Sequence, residues 1–180
     1  MKMNRDKRIK WFLPFYLFVA IIIDAALPAI FPYAFLGNDQ IIVSQLSLFM
    51  LTLFAFYFRD ESILIYALIF GLLIDSYNTT ILGIYGSLYF LIALFIVKTK
   101  KYFPKNTLVH LMLFILTICL SQFLIFVFYR ETGHTTVTLT EFLALHLWPT
   151  IIFNVVLSFV MYFPSKWILE SLGFERYYIM

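Results

Sequence analysis

The sequence predicts an all-α polytopic membrane protein: one domain over residues 1–180, built as a bundle of six transmembrane helices. Three observations carry that expectation. Hydrophobic residues make up 63% of the chain and charged residues only 13%, about half the ~25% charged share of a soluble domain. With a mean hydropathy of +0.93, the chain could not cover its surface with polar groups in water. The apolar residues gather into runs close to the ~20 residues that a helix needs to cross ~30 Å of hydrocarbon. Finally, twelve of the thirteen Lys and Arg fall on alternate connectors, as the excess of cations in cytoplasmic loops requires.

In chain order, the first span covers about 11–36 and the second 41–58, uncharged except for Asp24. The third and fourth, about 62–75 and 80–97, lie on either side of the break "DSYNTT". The fifth covers about 107–129 and the sixth 142–163. With the N-terminus in the cytoplasm, that side holds Lys2, Arg5, Lys7, Arg8 and Lys10, then Arg59, then Lys98, Lys100, Lys101 and Lys105, then Lys166 and Arg176. Arg130 alone faces outside. Both termini are therefore expected in the cytoplasm. Topology is enough to explain the sequence pI of about 8.9, so no nucleic-acid partner is expected. Anionic lipid at the cationic N-terminus is. A basic start followed by an apolar run has the order of a secretory leader. However, the apolar residues continue to Leu36 and Asp24 would precede the cleavage site, so the segment is read as a retained span. No connector is long enough for a soluble domain. Cys119 is the single cysteine, which excludes an internal disulfide and suits packing.

Asp75 is the sole charge between Ser62 and Val97. That 36-residue stretch barely suffices for two crossings and a turn. From Glu61, taken as the inner boundary, Asp75 lies only ~21 Å along a helix, so the turn should sit sunken below the outer surface. The carboxylate either caps the next helix through local hydrogen bonds or contacts a partner, as embedded acids are functional candidates. Asn78-Thr79-Thr80 matches a glycosylation triplet, taken as coincidental. Gly83 and Gly86, three apart, would let another helix approach closely. In the first span, Pro28 cannot donate to the carbonyl of Asp24, nor Pro32 to that of Pro28, which predicts a kinked or loosened outer half. In the sixth, Pro149 frees the carbonyl of Leu145 beside His146, with Asn154 deeper. The sharp expectation is that Asp24, Asp75 and His146 converge in one outer polar pocket. The plain alternative is that each pairs locally.

His110 is read as an interfacial residue. Ser44, Gln45, Ser121 and Gln122 are read as interhelical hydrogen-bonding groups. Tyr and Trp near the span ends suit aromatic belts. No zinc helix, phosphate loop, nucleophile elbow or Cys/His cluster is found. No enzyme activity, cofactor or metal is expected.

Gly71-Leu72-Leu73-x-Asp75, a polar turn, then Leu82-Gly83 and Leu88 resemble the signature of the rod shape-determining protein MreD family. Length, six spans, internal termini and the basic connector at 98–105 fit as well. The resemblance implies a non-catalytic scaffold of bacterial cell elongation and peptidoglycan synthesis, multi-pass in the cytoplasmic membrane. Its implied partners are an MreC-like bitopic protein and, directly or through it, a RodA-type glycosyltransferase and a class B penicillin-binding protein. It also implies a helical layout similar to the substrate-binding components of energy-coupling-factor transporters. Gly71, Asp75, Leu82 and Gly83 carry over as motif positions, none of them catalytic. The rival class is a small-molecule transporter or its substrate-binding subunit, with the ligand held in the polar pocket. A membrane enzyme would need turnover that disappears in Asp24 or Asp75 variants. A fluorescent reporter fused after Met180 should be active and a periplasmic phosphatase at the same position inactive. The reverse pattern would overturn the six-span topology.

Overall fold

The computed structural model describes residues 5–37, 40–58, 62–78 and 81–171, without the side chains of residues 5–10, Asn78 and Ser171. The cationic side chains before Trp11, Arg59, Glu61, the Thr79-Thr80 tip and Arg176 lie outside that description. The described residues form helices α1 (Arg5–Ile30), α2 (Pro32–Phe35), α3 (Leu46–Tyr57), α4 (Ser62–Asn78), α5 (Ile84–Thr99), α6 (Thr107–Glu131), α7 (Leu139–Val160) and α8 (Tyr162–Ser171). They include no strand. Three stretches are long and apolar enough to cross a membrane: Trp11–Ile30, Thr107–Glu131 and Leu139–Val160.

The centre of the molecule is α3. Every residue from Leu46 to Tyr57 is buried, and the helix packs against α1, α4, α5, α6 and α7. A helix apolar on all sides has no solvent face to present, so it is enclosed by its neighbours. Its twelve residues measure only about 18 Å, well short of the ~30 Å hydrocarbon layer. The run expected as a helix from Ile41 is different in its first part: residues 41–45 are not helical, and Ile41 forms an isolated antiparallel bridge with Leu36. Non-helical chain covers up to ~3.3 Å per residue against the ~1.5 Å of a helix.

Non-helical backbone among packed helices needs partners for its polar groups, and α7 supplies them along one edge. Ile41 N–H donates to the Leu145 carbonyl (2.8 Å), Val43 N–H to Thr150 Oγ1 (3.1 Å), and Gln45 N–H to Asn154 Oδ1 (2.9 Å). Asn154 Nδ2 in turn donates to the Val43 carbonyl (2.7 Å) and to the Thr150 carbonyl (2.8 Å). The alternation 41, 43, 45 is the two-residue period of extended chain, matched to successive turns of a helix. The Leu145 carbonyl is the one that Pro149 frees, and Ile41 occupies it. On the opposite edge Ile42 N–H donates to the Phe35 carbonyl (2.8 Å).

Other boundaries also shift. Helix α1 runs through Pro28 and stops at Ile30, so the break falls at Phe31 ahead of Pro32 rather than as a loosened outer half. Helix α5 starts at Ile84, after a turn through Gly83. Residues Phe142–Leu147 of α7 form a π-helical turn. The last apolar run breaks at Met161, and α8 folds back to bury Ile168 and Leu169 in the core.

Replacing Asn154 by Leu strands Gln45 N–H and the Val43 carbonyl, each at a cost of about 1–3 kcal/mol. Thr150→Val strands one N–H. Denaturation of the purified protein in detergent should therefore show a larger loss of stability for Asn154→Leu than for Thr150→Val. Equal, negligible losses would contradict the clasp.

Candidate functional site

Asp75 is completely buried. Its Oδ2 accepts from Gly83 N–H (3.0 Å) and Gly86 N–H (3.0 Å), and its Oδ1 from Tyr85 N–H (2.9 Å). These are amides at the start of α5, which have no partner within their own helix. The acid from the last turns of α4 thus caps α5, and its charge sits at the positive end of the helix dipole. Hydrogen bonds to an ionised acceptor are the stronger kind, which explains how a carboxylate is tolerated here. One helical turn back, a Cβ on Gly71 would fall 2.6 Å from the Tyr85 carbonyl oxygen and 2.7 Å from Gly86 Cα. A Cβ on Gly86 would fall 2.9 Å from Leu72 Cδ2. The two helices meet backbone to backbone at this point.

Gly83 and Gly86 do not form one helix face. Gly86 is enclosed in the α4–α5 contact, whereas Gly83 precedes the helix with φ of +104° and has nothing within 4 Å of a would-be Cβ. It opens on a shallow groove of ≈ 440 Å³ between α5 and α6, lined by Leu82, Ile84, Ser87, Leu88, Leu124 and Phe128 as well.

Asp24 repeats the device for α3. Its Oδ1 accepts from Ser44 Oγ (2.5 Å) and Leu46 N–H (2.8 Å), and its Oδ2 from Ser47 N–H (2.7 Å). Ser47 Oγ also meets the Tyr89 hydroxyl at 2.9 Å, joining α3 to α5. At the other end of α3, Lys100 Nζ donates to the carbonyls of Ala55 (2.9 Å) and Phe58, and Lys105 Nζ reaches the Tyr57 carbonyl at 3.4 Å. His110, expected at the interface, is instead buried: its Nε2 lies 3.1 Å from Thr52 Oγ1 and its ring 5.1 Å from that of Phe49.

The structure gives Asp24, Asp75 and His146 different partners. Each acid is engaged by backbone amides at the start of a different helix. His146 sits on the π-helical turn, its ring 5.5 Å from Phe142, which in turn stacks on Phe126 at 4.2 Å. It lines a cavity of ≈ 680 Å³ between α6 and α7 whose walls include Gln122, Tyr129 and Glu141 but neither aspartate. Of the polar residues read as interhelical, Ser44 bonds to Asp24, while the hydroxyl of Ser121 turns back to the Ile118 carbonyl of its own helix (3.1 Å). The lysine caps and the place of Gln122 in the cavity wall were not foreseen. The run "KTKKYFPK" following an apolar helix was the one available signal for the caps.

The family model described as rod shape-determining protein MreD matches residues 5–171. The rod shape-determining protein MreD of Bacillus subtilis (strain 168) is 22% identical over 166 residues, covering 92% of this chain and 96% of that protein. No solved structure matches the chain.

Gly71→Ala should force α4 from α5 and lower stability by about 1–3 kcal/mol. Gly83→Ala meets no neighbour and should cost only the ~1–2 kcal/mol of a left-handed backbone. Membrane abundance and detergent unfolding of the two variants measure the difference. A Gly71→Ala protein as stable as the parent would rule out the close contact.

Proposed function

This chain belongs to the rod shape-determining protein MreD family, and from that premise we propose that it is a non-catalytic scaffold of the cell-elongation machinery, docking the single membrane helix of an MreC-like partner. The observation that carries the reading is the family match over nearly the whole chain. Membership supports a role in determining rod shape, exercised from the membrane. A RodA-type glycosyltransferase and a class B penicillin-binding protein would be engaged directly or through the partner. In this reading the chain crosses six times, by α1, the composite segment 40–58, α4, α5, α6 and α7, with both termini in the cytoplasm. The lysine caps support it, because they tie the basic connector at 98–105 to the end of α3 expected on the same side.

The α5–α6 groove is the proposed contact. Apolar burial drives little association between helices in lipid, so close packing at small residues must supply it. Gly83 and Ser87 provide the bare floor, and Leu82, 72% exposed, provides a rim. The motif residues then divide their labour: Gly71, Asp75 and Gly86 hold the hairpin rigid, and Gly83 presents it.

The α6–α7 cavity favours a second reading, a substrate-binding transporter subunit with a layout like that of energy-coupling-factor components. Stabilisation by a transported small molecule in the absence of any partner would distinguish it. Substitution at Gly83 strains the backbone, so Ser87→Trp is the cleaner test: it fills the groove without touching the Gly71–Gly86 contact. Copurification with the MreC-like partner should fall at least about tenfold, equivalent to ~1.4 kcal/mol, while membrane insertion and unfolding stay unchanged. Undiminished capture would exclude this face.

A further inference from the structure

We propose that the cavity between α6 and α7 binds an uncharged, membrane-soluble molecule through a carbonyl oxygen. At ≈ 680 Å³ it lies within the ~300–1,000 Å³ of small-molecule sites. Two of its lining residues, Gln122 on α6 and His146 on α7, each hold a buried nitrogen, Nε2 and Nδ1, that the fold leaves without a hydrogen-bond partner. Gln122 is only 3% exposed. A buried polar nitrogen without a partner is costly, and here two helices each bring one to the lining of the same cavity. The backbone of α7 widens into its π-helical turn over Phe142–Leu147, the segment that contributes His146. Such turns occur disproportionately at functional positions.

The remaining wall defines the ligand's character. Phe126, Phe142 and His146 stack into a continuous column of rings, a flat apolar surface that accepts another flat or hydrocarbon group. No Lys or Arg lines the cavity, whereas Glu141 does. Arg130 lies over the Phe126 ring, 5.9 Å from its centroid, but is not among the lining residues. A phosphate or carboxylate entering here would meet a carboxylate without a compensating cation. An uncharged ligand avoids that, and a carbonyl oxygen supplies an acceptor for the Gln122 amide and for the Nδ1–H tautomer of His146. Two membrane-soluble sources share this chemistry: the ester group of a diacylglycerol and the ring carbonyl of an isoprenoid quinone.

The test uses the full chain in detergent, with dioctanoylglycerol, a short-chain naphthoquinone and phosphatidylglycerol as separate probes, read by native mass spectrometry and thermal unfolding. The expected result is a saturable one-to-one adduct with a neutral probe, raising the unfolding temperature; competition between the two neutral probes identifies the source. Gln122→Leu and His146→Phe should each weaken the adduct about tenfold. His146→Phe keeps the ring column and so carries the test if the Gln122 variant folds poorly. Phosphatidylglycerol binding as tightly as the neutral probes, no saturable neutral adduct, or adducts indifferent to both substitutions would overturn the proposal. Capture of an MreC-like partner should persist in His146→Phe, which separates a failure here from a failure of the scaffold reading.

Discussion

The constraint on which the fold turns is that a short helix cannot end inside a membrane with its terminal amides and carbonyls bare. Helix α3 is shorter than a bilayer is thick, and both of its ends are met by side chains rather than left to water. Asp24 meets its first amides and Lys100 its last carbonyls. A negative group at the positive end and a positive group at the negative end neutralise the dipole from outside the helix. Both groups come from other parts of the chain, so the same bonds that finish α3 also fasten α1 and the α5–α6 connector to it. Tertiary structure and helix termination are one set of contacts here.

Asp75 applies this principle to α5, and the comparison of the two acids is informative. They occupy unrelated positions in sequence, yet each accepts from amides in the first turn of a helix. Asp24 and Asp75 stand where water would otherwise receive the first amides of a helix. The motif at 70–91 then makes physical sense as a unit. The glycine at 71 brings two backbones together, the aspartate at 75 joins them, and the glycine at 83 supplies the left-handed turn that lets α5 start.

Much of this was legible beforehand. Apolar run lengths located α4, α6 and α7 closely, and the proline rule identified the Leu145 carbonyl as a group in need of a partner. Composition could not reveal that residues 40–45 are not helical. Ile41, Ile42 and Val43 are as apolar as any helix, and the side chains of Thr150 and Asn154, more than a hundred positions away, join the carbonyls of Phe35 and Leu145 in making the non-helical form tolerable. Nor could it separate Asp24 from Asp75, because depth in the bilayer is readable from sequence whereas lateral position is not. His110 failed for the same reason: its location near a span end was right, but the ring turns inward toward Thr52 rather than out to the headgroups.

The clasp between segment 40–45 and α7 also has a bearing on biogenesis. A ribosome making about 5–20 residues per second needs several seconds after releasing Gln45 before Asn154 exists to receive it. During that interval Val43 and Gln45 lack the α7 groups that receive their amides, and the segment is either coiled provisionally into a helix or shielded by other proteins. Completion of the clasp is thus postponed until α7 arrives. That arrival converts a provisional conformation into the permanent one.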